Sequence, residues 1–549
     1  MKLDKKLMLL ALENAIRHDG KANPGAILGK LISIDPKVKE NINTAKKEIE
    51  NVIVTVNNMG LDEQKIQFNN LGGELTEKKV EERKLPELKN VKGKVIMRLA
   101  PYPSGPLHIG NARPYIINDE YVKLYKGKLL LVIDDTIGSE EKQIIKEAYD
   151  LIPDGLKWLN IDFDEKIIYK SDRLDIYYKY AKDLIKKEYA YVCKCSSVIL
   201  RENRANGLEC KCRINSVKTN LAGWEEMFEA KEGTMTLRIK TSMQHQNPAF
   251  RDRVIFRISD RVHPRVKTKY RIWPLLDFSW AVDDYLLGIT HILRGKELMI
   301  ESEMEKYIWE IFRWPQKEII HTGLFQIEGI KISKSKSQKE VESGKYMGWD
   351  DPRTWSIQSL RKRGLSPKAI RNFILNLGLT QNEIKVPVDL LYSENRKLLD
   401  KEVDRYFFIS NPKKIIIKKA PKLNVEVPLH PDNNRGFRKF KTSDEFYIQD
   451  KLEKNKMYRF MHLFNFMNNE FHSKELNKKL NAKLIHWIPV DDNVVHAELI
   501  MDNGDKIEGI VESNIINVKQ NEVIQFERFG FVRLDKKTKG IYIFYFAHN

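Results

Sequence analysis

Two short motifs carry the groups best suited to phosphate chemistry: His108-Ile109-Gly110-Asn111 and, much later, Lys331-Ile332-Ser333-Lys334-Ser335. The first follows the apolar run Lys94 to Ala100, which reads as a buried strand, and the turn Pro101-Tyr102-Pro103-Ser104-Gly105-Pro106. A helix is expected to begin near Leu107. Its first turn, with unpaired backbone N–H groups and the positive dipole end, then stands at the carboxyl edge of a strand, where a nucleotide phosphate is favoured. Gly110 lets something large lie flat on the backbone, and His108 can donate a neutral hydrogen bond to a phosphate oxygen. The lysines of the second motif act as mobile point charges that follow negative charge from an α-phosphate to departing pyrophosphate.

A third cluster has different chemistry. The four cysteines of the chain fall close together as Cys193-Lys194-Cys195 and Cys210-Lys211-Cys212. A disulfide framework would spread its cysteines through an exported chain, whereas two paired hooks joined by a short loop suit a tetrahedral Zn²⁺. Four protein thiolates leave no open coordination position, so such a zinc is structural. The CxC spacing is less common than CxxC, and four reduced, unliganded thiols are the competing reading.

These residues need elements to position them, and the chain is long enough at 549 residues for several domains. Lys and Arg total 95 against 76 Asp and Glu, for a net charge of +19 and a pI near 9.3. That balance favours a polyanionic partner, although lysine enrichment also occurs in heat-adapted proteins. No apolar run approaches the roughly 20 residues that span a bilayer. Met1 to Leu12 imitates a short signal peptide, but Glu13 and Arg17 continue it as an amphipathic helix, and a cytoplasmic protein is expected.

Residues 1–90 read as a polar, helical N-terminal extension with no recognisable chemistry. Residues 91–183 alternate apolar strands with amphipathic helices, as the first half of a Rossmann-like parallel sheet, and 184–272 form an insertion carrying the cysteines. The α/β pattern resumes over 273–345, residues 346–386 are helical and basic, and 387–549 become short alternating strands that suggest β-barrels. Within residues 396–441, thirteen Lys and Arg face five acids, with Tyr406, Phe407, Phe408, Phe437 and Phe440 among them. Such interleaving suits stacking on unpaired bases, while a solvated lysine face is the plainer reading of any one residue.

In this order the motifs resemble a class I aminoacyl-tRNA synthetase, specifically the archaeal-type glutamyl-tRNA synthetases. The resemblance runs from Ala11 to Ala15 and Gly20 to Ala26 through Arg98 to Arg113, Asp134-Asp135-Thr136, Asp283 to His291 and Gly348 to Arg353, and ends at Gln525 to Arg528. It implies ATP-dependent activation of L-glutamate to glutamyl-adenylate, and transfer to the 2′-OH of the 3′-terminal adenosine of tRNA(Glu). Mg²⁺ would accompany ATP, activation would need bound tRNA, and tRNA(Gln) stands as an open second partner. The insertion would receive the acceptor end, 346–386 would contact the stem, and the barrels would read the anticodon. Residues 1–90 are left with an unassigned protein partner.

The resemblance assigns catalysis to His108, Asn111, Lys331 and Lys334, and ATP contacts to these with Gly110, Ser333 and Ser335. Histidine usually stands where this chain has Asn111, and an amide donates at about the same reach. Arg98 and Arg294 fall where the family sets arginines around the glutamate side chain, with a buried structural ion pair as the alternative for each. Asp134 falls where an acid faces the ammonium, with a capping or turn aspartate as its alternative. Arg294 favours glutamate over glutamine, because it can pair bidentately with a carboxylate, while the glutaminyl enzymes place an uncharged residue there. Two departures bear on this site: Leu276 replaces a tyrosine, and Leu131-Val132-Ile133 replaces a strand that normally holds arginine. Trp280 either fills the space left by the tyrosine or is a core residue. The competing functions are a glutaminyl-tRNA synthetase, an enzyme that glutamylates a tRNA base, and a non-catalytic synthetase-like tRNA-binding protein.

Overall fold

A computed structural model describes residues 3–549 apart from 18–19, 36–37, 39–40, 74–84, 139–142, 331–332, 492 and 539, so Lys331 lies outside the described residues. The chain separates into two compact units, Met1–Glu82 and Arg83–Asn549. Among the described residues no helix is long and apolar enough to cross a membrane.

The first unit contains the helices Leu3–Arg17, Pro24–Ile34, Ile42–Asn57 and Leu61–Asn70. Leu7, Ala11 and Ala15, spaced four apart on one face, pack with Ile27, Ile49, Val56 and Phe68. Asn23 starts the second helix by accepting from the Ala26 N–H, with Pro24 in the first turn where its missing N–H costs nothing. Gln64 is fully buried, and its amide donates to the carbonyls of Gly20 and Val56, tying the loop between two helices to the last one.

In the second unit the strands Ile96–Leu99, Lys128–Ile133 and Ile168–Tyr169 form a parallel sheet in that order. His291–Gly295 and Glu318–Thr322 form a second parallel pair. Thr290 joins the two: its N–H donates to the Ile96 carbonyl at 2.9 Å and its hydroxyl accepts from the Ile96 N–H at 2.9 Å. Ile96–Leu99 therefore lies where the strand order reverses, and the crevice beyond the carboxyl ends of such strands is the natural ligand position. Met97, Leu99, Leu129 and Leu131 are buried on the side covered by the helix Ile109–Leu124.

The insertion is an antiparallel sheet of Ala190–Cys193, Thr236–Ile239, Val254–Ile258 and Ile272–Pro274, so its last strand runs to the edge of the resuming α/β region. Helical structure continues past residue 386 in Asp389–Leu399 before the strands begin at Arg405.

The C-terminal strands close on themselves. One seven-membered sheet begins with Arg405–Tyr406 and ends with Phe408–Ser410, two halves of one chain run, so its edges meet as a barrel. A second set of short strands surrounds Phe446, Phe460, Phe464, Phe466 and Trp487. The expectation of base-stacking aromatics is corrected here: Tyr406, Phe407, Phe408 and Phe440 are buried in the barrel cores, and Phe437 alone of the five is exposed. A run of alternating aromatics and lysines on a strand has the same period whether its rings face a core or a ligand.

Arg438 joins the cores of these two β-rich regions. It is fully buried, pairs with Glu512 and Glu527 at 2.7 Å each, and lies 4.6 Å over the Phe407 ring. Arg438→Met would leave Glu512 charged and unpaired in the interior. We expect a loss of about 3–5 kcal/mol, read from the urea midpoint of the full chain; a change below about 1 kcal/mol would show that the barrels do not depend on this pairing.

Candidate active site

A cavity of about 780 Å³ opens beyond the carboxyl ends of the parallel strands. His108, Asn111, Asp134, Lys334 and Ser335 all line it, as do Leu276 and Trp280. A recess of about 900 Å³ elsewhere in the second unit has walls that include Asp350, Arg361, Lys362, Arg533 and Asp535. These five charges are paired, as Lys362–Asp350, Arg361–Asp154 and Arg533–Asp535, and none of the candidate site residues lines the recess.

At one end, two helix starts meet the cavity. His108 caps Ile109–Leu124, and its N–H donates to Asn111 Oδ1 at 3.4 Å, which leaves the Asn111 Nδ2 group as the donor of that side chain. A Cβ on Gly110 would stand 3.0 Å from the His108 ring, so the ring folds against bare backbone. Gly105, at φ +138, holds the preceding turn in a conformation that side chains rarely adopt, and a Cβ there would press on Trp349 at 3.0 Å. The turn is braced from behind: Ile357 N–H donates to the Leu107 carbonyl at 2.8 Å, and Ile109 N–H to that of Trp355 at 3.3 Å. The second start belongs to Lys334–Glu342, where Ser333 accepts from the Lys336 N–H and also meets the Ser335 hydroxyl at 3.2 Å. Two positive helix-dipole ends at one cavity, with Lys334 at the start of the second, favour an anion.

At the other end the sheet register assembles charges. Ile133 pairs with Tyr169, so the next residues, Asp134 and Lys170, leave adjacent strands side by side. Lys170 Nζ donates to Asp134 Oδ2 at 3.2 Å and to Ser279 Oγ at 2.8 Å, and the other Asp134 oxygen accepts from the Thr136 hydroxyl at 3.0 Å. Arg98 grips Asp284 through Nε and through Nη2 at 2.8 Å. Burial alone would lower the Arg98 pKa, but the charge of Asp284 reverses this and holds it above the ordinary value. Arg294 grips Glu305 end-on, Nη1 at 2.7 Å and Nη2 at 2.6 Å. Trp280 gathers these groups: Arg98 lies 4.8 Å, Arg294 4.9 Å and Lys170 5.0 Å from its ring centre.

Thus Arg98 and Arg294 come together beside the cavity, and each is engaged in the buried ion pair foreseen as its alternative. Arg294 is not thereby used up. Arg294 Nε and Trp280 Nε1 are buried N–H groups with no hydrogen-bond partner among the described residues. Two such donors around one site suit an acceptor with several lone pairs, such as a carboxylate. Asp283, the neighbour of Asp284, turns away to Arg173 and Tyr177 at 2.7 and 2.6 Å. Sequence reasoning passed over Lys170, whose signal was the strand Ile168–Tyr169 and its register with Ile133.

The cysteines also come together. Cys195 Sγ lies 3.3 Å from Cys210 Sγ and 4.0 Å from Cys212 Sγ, Cys193 Sγ lies 3.6 Å from Cys210 Sγ, and all four sulfurs fall within 4.8 Å of one another. Tetrahedral Zn–S bonds of about 2.3 Å would set the sulfurs about 3.8 Å apart, so the donor set fits. Burial raises the thiols of Cys193 and Cys195, the latter to about 11, so in the absence of a cation they would stay protonated.

Strand order, the helix start at its reversal and the lysine loop define a Rossmann-type catalytic domain. Residues 94–401 match the family described as tRNA synthetases class I (E and Q), catalytic domain, and 403–485 and 484–535 match the anti-codon binding domains of the same group. The chain belongs to the class I (E and Q) tRNA synthetase family. It is 42% identical over 558 residues to the glutamate–tRNA ligase of Methanocaldococcus jannaschii, covering 100% of both chains. It is 40% identical over 555 residues to that of Methanococcus maripaludis, covering 99% of both, and 41% over 577 residues to that of Pyrococcus furiosus, covering 100% of both.

The geometry fixes the protonation state of His108. Burial, and then the Lys334 charge, lowers its imidazole to about 3. The unfolded chain, at about 6.5, takes the proton first. The neutral ring therefore favours the folded state above about pH 6.5, a contribution lost as pH falls toward 3. In an NMR titration the His108 ring should stay neutral from pH 8 down to 5; a midpoint near 6.5 would mean an open, solvated site.

Proposed function

We infer that the chain is an ATP-dependent ligase that activates L-glutamate as glutamyl-adenylate and transfers it to the 3′-terminal adenosine of tRNA(Glu). The observation that carries this is the match at about 40% identity, end to end, to proteins named glutamate–tRNA ligase. The residue roles that follow are proposals built on the geometry.

ATP lies with its phosphates between the two helix starts. His108 and the Asn111 amide donate neutral hydrogen bonds there, and Gly110 admits the nucleotide against the backbone. Lys334, Ser335 and Ser333 meet the charge passing to pyrophosphate, with Lys331 from the same loop. Mg²⁺ bound with ATP would share the neutralisation of its phosphates. Glutamate lies at the charged end: its ammonium faces Asp134, and its side-chain carboxylate accepts from Arg294, supported by Arg98. The α-carboxylate then attacks the α-phosphate, and no protein nucleophile is needed because catalysis rests on position and charge.

By the same reading, residues 91–183 and 273–345 are the two halves of the catalytic domain, and 184–272 receive the acceptor end. Residues 346–386 contact the tRNA stem, and 387–549 hold the anticodon arm. Cys193, Cys195, Cys210 and Cys212 hold a structural Zn²⁺ that fixes the loop between the two hooks.

ATP–pyrophosphate exchange, run with glutamate and with glutamine, with and without tRNA, tests the activity. Exchange should require glutamate and fall by about two to three powers of ten in Lys334→Ala, the scale of losing one preorganised charge; exchange driven equally by glutamine would sink the substrate assignment. Metal analysis of untagged protein should give one Zn²⁺ per chain, lost in Cys210→Ser. Active protein with far less than stoichiometric zinc would remove the metal from the fold.

A further inference from the structure

Three cations crowd one indole at the amino-acid end of the cavity, and Lys170 alone has had no part in the chemistry so far. It is fully buried, and it is not among the cavity-lining residues, so it sits behind the wall that Asp134 and Trp280 present. A lysine is rarely held in such a place without cause, since burial disfavours its charge and lowers its pKa, opposed here by Asp134 and Asp283. Two of its three N–H donors are spent on Asp134 and Ser279. Its partner is the acid placed to meet the substrate ammonium.

The charges around this end can be paired off. Arg98 offsets Asp284, Arg294 offsets Glu305, and Arg173 offsets Asp283. Without Lys170, Asp134 would stand as a net negative charge beside the place where the substrate side chain must go. An ammonium would accept that, but a second carboxylate would be repelled in a partly desolvated cavity. With Lys170 these four pairs balance, and the free donors on Arg294 and Trp280 remain for an anion.

We propose that Lys170 is a specificity-determining residue of the amino-acid site, acting from behind Asp134 to balance its charge so that a substrate with a side-chain carboxylate is admitted. This rests on the glutamate reading of the preceding section. Lys170 is a positioning residue rather than a catalytic one, because it reaches the substrate only through Asp134 and the indole. It is also a cleaner lever than either arginine. Removing Arg98 or Arg294 strands Asp284 or Glu305 in the interior, whereas Asp134 borders the cavity and keeps its bond from Thr136.

The test is ATP–pyrophosphate exchange with tRNA present, taking kcat/KM for L-glutamate and L-glutamine on the full chain and on variants. In Lys170→Met the glutamate-to-glutamine ratio should fall by about tenfold, the order expected of one unit charge a side-chain length away, with the change mainly in KM for glutamate. Lys170→Arg should recover most of it. A Lys170→Met, Asp134→Asn double variant, which removes the pair without stranding a charge, should be slower with both amino acids yet keep a ratio near the parent's. That double variant also serves where the single one does not fold. An equal fractional loss for both amino acids in Lys170→Met, or a double variant with its preference lost, would overturn the proposal. A parent protein that exchanges neither amino acid would instead sink the glutamate reading itself, leaving Lys170 without a substrate to select.

Discussion

Every ion buried behind the cavity wall is there because its opposite is there too. Asp134 with Lys170 at 3.2 Å, Asp283 with Arg173 at 2.7 Å, Asp284 with Arg98 Nη2 at 2.8 Å and Glu305 with Arg294 at 2.6 Å form four pairs. An isolated buried charge costs several kcal/mol, and a pair offsets this only when its geometry is good. The sheet supplies that geometry. Lys170 and Asp134 come from neighbouring strands in register, Arg98 from the central strand, Arg294 from the strand across the reversal, and the carboxylates Asp283 and Asp284 from the one helix Leu276–Leu286. Register therefore decides electrostatics: a slip of one residue would turn each side chain to the opposite face and leave its partner bare.

Trp280 is the common surface of this arrangement. Leu276, one turn earlier on the same helix, supplies no hydroxyl, and the indole takes over the wall by bulk and by its negative face. Three cations within about 5 Å of one ring would repel one another in water; here the ring and the carboxylates hold them together. Trp280 is 7% exposed and lines the cavity, so it is packed into the core on one side and forms the wall on the other.

The strand, turn and helix start around His108 were legible because they are local. A strand, a turn needing Gly105, a helix start at His108 and a bare backbone at Gly110 follow one another along the chain, and the structure sets them as their order implies. The cysteines were legible for the same reason: two hooks in sequence become four sulfurs within 4.8 Å. What could not be read is non-local. That Arg98 would find Asp284, or Arg294 find Glu305, depends on two helices, Leu276–Leu286 and Met299–Phe312, packing against the strands, and no spacing in the sequence encodes it. The barrel aromatics show the opposite failure. Alternation in Tyr406 to Phe408 and Phe437 to Phe440 marks a two-faced strand, and only closure of the sheet decides which face is wet.

On the proposed reading, in which one end of the cavity takes glutamate and the other ATP, the two ends would solve different problems with different groups. At the amino-acid end the charge to be recognised is fixed, so rigid, buried, mutually paired guanidiniums serve, with a few donors held back. At the nucleotide end charge moves during reaction, from one phosphate toward the leaving group. A buried cation could not follow it. The structure instead places neutral or dipolar groups there, the His108 ring kept uncharged by burial and the positive dipole ends of two helices, and sets its formal charge on Lys334 at the beginning of a surface helix. A cation on His108 would add attraction for ATP and for pyrophosphate alike. That is uniform binding, which tightens the ground state without lowering the barrier. Keeping the ring neutral leaves the differential attraction to the one group free to move with the charge.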